Sequence, residues 1–209
     1  MTVGDVIGHD LAAASAMAQL RAAVRAYAIE GDAPSTVINR LDRLVGALGL
    51  TQLATVVYGV LGPPEPDGSR LLHYTNAGHL TPLLRRPSGQ VEALAGGDSI
   101  LIGAPMPVDH NQAVQRVDAG STLLLFTDGL VEVPGRAIDD NMQELIATLA
   151  DDHVGGDLDE LCDRVLEMTT HRERRDDIAL LAIRILPTGV VVSSREPDDA
   201  RITVDAPVE

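Results

Sequence analysis

The chain has 209 residues, 45% of them apolar and 22% charged, which is enough for one domain with a sizeable core. Its 31 acidic residues against 16 basic ones give a net charge of −15; such a surface repels phosphate backbones and anionic lipid, so no nucleic-acid or membrane partner is expected. Aromatic residues make up only 2%, with no Trp, so the core must be aliphatic and base-stacking platforms are nearly excluded.

Residues 10–30 are rich in Ala and Leu at a helical period, with small side chains suited to close packing. Gly31-Asp32 ends this helix, Pro34-Ser35 opens a second over 34–48, and Gly49 closes it. The pattern then changes. Leu53 to Leu61 (LATVVYGVL) is β-branched and reads as a strand, GPPEPDG (62–68) as a turn, and Leu71 to Thr75 as the second strand of a hairpin. Leu83 to Arg86 and Val91 to Leu94 form another hairpin, followed by a loop carrying Gly96, Gly97, Gly103, Pro105 and Pro107.

Ala113 to Val117 and Thr122 to Phe126 are strands around a turn at 118–121. Met142 to Leu149 and Leu158 to Met168 are helical by period, and Asp177 to Ile185 (DIALLAIRI) is a buried strand. Two helices, several antiparallel strands, two helices and a strand make an α+β layout. Residues 187–209 break from this pattern at Pro187-Thr188-Gly189 and read as a linker or tail, leaving 1–186 as the domain. No apolar run reaches the ~18–20 residues of a membrane span, no signal peptide is visible, and the single Cys162 forms no intramolecular disulfide. A cytoplasmic location is expected.

Three acids stand out by their neighbours. Asp5 lies in GDVIGH (4–9), at a strand end just before a helix. Asp128 directly follows an apolar strand in LLLFTDG (123–129). Asp176, with Asp177 beside it, enters the last apolar strand. Each flanks a buried element, where an unpaired charge is costly. A shared cation removes that cost, and oxygen-only ligands select Mg²⁺ or Mn²⁺ over zinc. The residues alone fit equally well the plainer reading in which each acid caps a helix or turn.

Five segments together are more specific. GDVIGH (4–9), ATVVYGVL (54–61), NAGHLTPLL (76–84), LLLFTDGLVE (123–132) and RDDIALLAI (175–183) follow the order and spacing of the SpoIIE/RsbU-like branch of the metal-dependent protein phosphatase (PPM) superfamily, which the chain resembles over residues 4 to about 185. The resemblance implies a two-layer antiparallel β-sandwich flanked by helices, holding two Mn²⁺ or Mg²⁺ ions. It implies that Asp5 bridges the ions, that the Val6 carbonyl is a further ligand, and that Asp128 and Asp176 complete the set, with Asp177 the less favoured neighbour. Asp5, Asp128 and Asp176 are thus its catalytic residues, and metal-bound water attacks the phosphorus of a phosphoserine or phosphothreonine.

The implied substrate is a phosphorylated STAS-type anti-sigma-factor antagonist. A sensor or kinase domain in the same polypeptide and a homodimer are further implied partners. The helices at 10–30 and 34–48 resemble the family's regulatory switch elements, whose first end abuts Asp5. Two departures stand out. A GGDWYD-like motif and its strands, which normally precede GDV, are missing, so the sandwich is expected to be truncated at its N-terminus and its metal site to lack one acid. Asp10 replaces the usual Gly, and caps the helix starting at Leu11. The missing acid motivates a second reading, a catalytically impaired regulatory or binding module of the same fold. His9 and His79 are each either structural or assistants to proton transfer. His73, His110, His153 and His171 sit among surface-like sequence, and Cys162 reads as packing.

Overall fold

The computed structural model describes residues 1–50, 52–106, 109–154, 156–169 and 177–186. The linker or tail at 187–209 lies outside them, as does Asp176. The chain opens with strand β1 (Thr2–Val6), followed by helices α1 (Leu11–Ile29) and α2 (Pro34–Leu48). The boundaries follow from local chemistry. Asp10 caps α1 by accepting the Ala13 N–H at 2.8 Å, which satisfies one of the amide donors that the first helical turn leaves open. Pro34 sits at the start of α2, where its missing N–H costs nothing, and Gly49 ends it in the left-handed conformation at φ 64°.

Strands β2 (Ala54–Leu61) and β3 (Arg70–Ala77) form the expected hairpin. β1 pairs antiparallel with β2, placing Asp5 opposite Thr55. The loop after the second hairpin contributes a two-residue strand, β6 (Asp98–Ser99), parallel to the end of β3. Strand β7 (Ala113–Val117) also joins β3 and completes one five-stranded sheet. The other sheet has the order β5 (Val91–Ala93), β4 (Leu83–Arg85), β8 (Thr122–Phe126), β9 (Leu180–Arg184). The turn at 118–121 therefore does not close a hairpin: β7 and β8 belong to different sheets, and the turn carries the chain between layers.

Alternation along the strands explains the layers. On β2, Val57 faces the other sheet, while Val56 and Tyr58 face α1 and α2. On β8, Leu123 and Leu125 face inward, while Leu124 and Phe126 face α3 (Ile138–Ala150) and α4 (Leu158–Glu167). All of β8 is buried because both of its faces are covered. The result is helices, sheet, sheet, helices: the two-layer antiparallel sandwich with flanking helices expected above. Helix α3 starts at Ile138, four residues before the periodic stretch. Asp139 and Asp140 fill its first turn, where they break the apolar period but suit the positive end of a helix.

Candidate metal centre

β1 and β8 run to the same end of the sandwich, one in each sheet. Asp5 sits near the end of β1, half-buried, and Asp128 two residues beyond β8. Both line one cleft of about 180 Å³, together with Thr55, Gly78, His79, Leu80 and Glu132. A short 3₁₀ turn over Asp128–Leu130 fixes Asp128. Its backbone carbonyl accepts from the N–H groups of Val131 and Glu132 at 2.8 and 2.7 Å, so the side chain is the part left to face the cleft. One carboxylate oxygen, Oδ1, is buried with no hydrogen-bond partner among the described residues.

Sequence reasoning placed Asp5 and Asp128 in the site, and the fold brings both to the one cleft. The Val6 side chain is buried in the core beneath α1 and α2, which leaves its backbone as the only part able to act. Asp177 is exposed, but its carbonyl accepts from the Thr127 hydroxyl at 3.0 Å, and the same hydroxyl oxygen accepts the Ala179 N–H at 2.8 Å. Thr127 thus ties the entrance of β9 to the residue preceding Asp128. β9 itself begins at Leu180 rather than at Asp177. His9 is exposed on the segment between β1 and α1.

Two members of the cleft were not singled out as acids or anchors from sequence. Glu132 lies inside the quoted segment LLLFTDGLVE, but an exposed Glu in an acidic chain gives no signal of its own. His79 was left between two roles, and its contacts define one of them. Asn76 and His79 close a tight turn reciprocally: the His79 N–H donates to Asn76 Oδ1 and Asn76 Nδ2 donates to the His79 carbonyl, both at 2.9 Å. Gly78 between them has φ 68°, and a Cβ there would lie 2.7 Å from Leu101 Cβ, so only glycine fits. The ring's Nε2 lies 3.1 Å from the Phe126 carbonyl and its Nδ1 2.8 Å from the Thr55 hydroxyl. Burial pushes the His79 pKa down, against the smaller opposing effects of the Phe126 carbonyl and the Asp128 charge, so the neutral ring is favoured.

Among the described residues no three His, Cys, Asp or Glu side chains stand close enough to form a ready-made metal cluster. The donor set still suits a hard cation. It is all oxygen, drawn from two carboxylates on different sheets, and one buried carboxylate oxygen lacks the partner that a divalent ion would supply.

Comparison with known proteins agrees with this architecture. The RsbU and RsbW domains of Rv1364c from Mycobacterium tuberculosis superpose with a TM-score of 0.77 at 27% identity, over 90% of this chain and 52% of that one. The PP2C phosphatase domain of SpoIIE from Bacillus subtilis, solved with a fragment of its regulatory domain, gives 0.67 at 16% identity, over 88% and 53%. The catalytic domain of the serine/threonine protein phosphatase PstP, in complex with two manganese ions, gives 0.57 at 15% identity, over 87% and 85%. The chain spans about half the length of the first and second of these. No helix among the described residues is long and apolar enough to cross a membrane. The profile of stage II sporulation protein E (SpoIIE) matches residues 1–186, and with a PPM-type phosphatase fold and an oxygen-lined cleft between its sheets, the chain belongs to the SpoIIE family.

Proposed function

We propose that this chain is a protein serine/threonine phosphatase dependent on Mn²⁺ or Mg²⁺. The observation that carries the proposal is the meeting of Asp5 and Asp128, from different sheets, in one cleft where a buried Asp128 oxygen has no hydrogen-bond partner among the described residues. Asp5, the Val6 carbonyl, Asp128 and Asp176 would hold two ions, which when bound supply an acidified water and offset charge on the phosphoryl oxygens. The protein's own part is positional. β1 presents Asp5, the 3₁₀ turn aims Asp128, and Thr127 holds the start of β9 beside it. No protein nucleophile is required. Cys162 is unsuited to be one, since burial and the nearby Asp159 and Asp163 push its thiol pKa up.

The substrate we favour is a phosphorylated STAS-type antagonist of an anti-sigma factor, in keeping with the likeness to RsbU. The M. tuberculosis neighbour pairs an RsbU with an RsbW domain, which supports a sensor or kinase domain in the same polypeptide here. Residues 1–186 act as the phosphatase domain and 187–209 as linker or tail. Helix α1, capped by Asp10 next to the Asp5 turn, is placed to pass a partner's signal to the site. The second reading is a catalytically impaired regulatory or binding module of the same fold. Phosphate release from a phosphoserine protein in Mn²⁺ distinguishes the two. The enzyme reading expects release that falls at least ~100-fold in Asp128→Asn, on the scale of removing one charge-stabilising group from such a site. Equal release by wild type and Asp128→Asn would refute it.

A further inference from the structure

Among the described residues, the two sheets of the sandwich share no ladder hydrogen bonds. Between them lies apolar packing, which is strong but non-directional. A metal site built from one carboxylate on each sheet needs its spacing held more tightly than that, to about half an ångström. At the cleft, one side chain touches both sheets with directional bonds.

We propose that His79 is a positioning residue that sets the spacing between the Asp5 and Asp128 edges of the cleft. The argument starts from the Phe126 carbonyl, which only accepts, so Nε2 carries the proton and donates to it. In the neutral ring Nδ1 then accepts from the Thr55 hydroxyl. Thr55 stands directly opposite Asp5 across the β1–β2 ladder, and Phe126 ends the strand that leads into Asp128. One ring nitrogen therefore grips the sheet carrying Asp5, and the other grips the sheet carrying Asp128. The ring itself is fixed from behind by the reciprocal Asn76–His79 turn and by the glycine-only position at Gly78. Asn76 is buried and also donates to Asp98 Oδ1 at 3.3 Å, which anchors the turn to β6.

Both ring nitrogens are engaged, so His79 neither ligates a cation nor shuttles a proton in this arrangement. Of the two roles open from sequence, the structural one is selected, with a consequence for the site. Outer-shell residues that orient metal ligands commonly contribute 10–100-fold to metal affinity. The proposal rests on the reading that Asp5 and Asp128 hold divalent cations.

Mn²⁺ titration calorimetry, with thermal unfolding in chelator as a second readout, tests it. His79→Ala is expected to bind Mn²⁺ about 10-fold or more weakly. His79→Gln, which keeps a donor for the Phe126 carbonyl, recovers part of that loss. Thr55→Val removes only the hydroxyl at nearly constant shape and weakens binding less than His79→Ala does, which keeps the test open should His79→Ala not fold. Leu145→Ala, in the helical layer on the other sheet, serves as the control: it lowers thermal stability and leaves Mn²⁺ affinity unchanged. Wild-type affinity in His79→Ala or, if that variant does not fold, in Thr55→Val overturns the positioning role alone. No Mn²⁺ uptake by the wild-type chain, or unchanged uptake in Asp128→Asn, overturns the metal reading beneath it.

Discussion

Helices α1 and α2 cover one sheet and helices α3 and α4 cover the other, but the two layers are built from different material. The buried face of α1 is Ala13, Ala16, Leu20 and Val24, and between it and β1 lies an apolar cavity of about 350 Å³ lined by Met17, Leu20, Val24 and Asp5 among others. Leu11 and Ile29 at the ends of α1 are almost fully exposed. Under α3 and α4 the packing is dense: Leu145, Leu149, Leu161 and Val165 are fully buried against Leu124 and Phe126. Within the first layer the slack is confined to α1, because α2 buries Val37, Ile38, Leu41 and Val45 as completely as α3 and α4 bury their own stripe. Small side chains let a helix approach its neighbour, yet they leave the space beside a strand edge unfilled. Helix α1 can therefore shift at lower cost than α3 or α4, which suits the signal-passing role proposed for it.

The ion pairs at the two helix–helix connections also differ. On the α1–α2 side, Arg40 meets Glu30 at 2.5 Å and Asp32 at 3.0 Å, and its guanidinium lies 4.2 Å from the Tyr27 ring centre, all partly open to solvent. On the other side, the Asp152 carboxylate is almost wholly buried after α3. It pairs with Arg184 of β9, while its backbone carbonyl accepts from Arg85 of β4. Arg184 also donates to the Gly156 carbonyl and, through Nε, to Thr122 Oγ1 at 3.1 Å. The α3–α4 connection is thereby pinned to two strands by charged hydrogen bonds.

The largest expected effect follows from that pin. Asp152→Ala leaves the Arg184 cation buried without its carboxylate, and should cost about 3–5 kcal/mol in urea unfolding. Glu30→Ala at the exposed counterpart should leave the urea midpoint unchanged, because water replaces the lost partner. Similar costs for the two variants would break the contrast between the layers.

Core truncation should sharpen the contrast at smaller amplitude. Leu145→Ala opens a hole in close-packed surroundings and is expected toward the upper part of the ~2–5 kcal/mol range for such changes. Leu20→Ala enlarges a space that already exists, so less contact is lost and the cost should lie near the lower end, about 2 kcal/mol. Urea midpoints of the two variants at fixed slope make the comparison. A costlier Leu20→Ala would mean that the cavity does not weaken its surroundings.

Much of this was legible in the sequence. The stripe Val37, Ile38, Leu41 and Val45 gives α2 at once, and Pro34 and Gly49 mark its ends. The β-branched run at 54–61 gives a strand, and motif order brings Asp5 and Asp128 forward as a pair. Three features were hidden for physical reasons. The turn at 118–121 looks the same whether it closes a hairpin or crosses between sheets, because only tertiary pairing separates the two. Arg184 and Asp152 lie 32 residues apart and read as two more charges in a charged chain. His110, taken as surface-like because of the polar residues around it, is buried at 4% exposure: its neighbours in space are α2 and β6, not its neighbours in sequence.

That buried histidine gives the smallest of the expected effects, and one that acid should confine to the α2 side. The Ser99 hydroxyl shares a 2.8 Å bond with His110 Nδ1, so one ring nitrogen is satisfied and the other is Nε2. Nε2 is buried with no partner among the described residues; the charged ring would hold an unsatisfied cationic N–H there beneath α2. Burial accordingly pushes the His110 pKa below its ordinary value, with Asp42 and Asp109 pulling weakly the other way. The sign of the consequence is fixed by linkage. Between the lowered folded pKa and the unfolded value of about 6.5, the unfolded chain binds a proton that the folded chain refuses, so stability is complete above that window and falls as pH drops through it. His79, depressed for the same reason, adds to the slope. Unfolding free energy measured from pH 8 to pH 5 should therefore decline, and His110→Gln should flatten part of that decline while leaving the His79 part. An unchanged slope in His110→Gln would show that α2 already admits water to this ring, and that the layer over the Asp5 sheet is open well beyond the cavity beside α1.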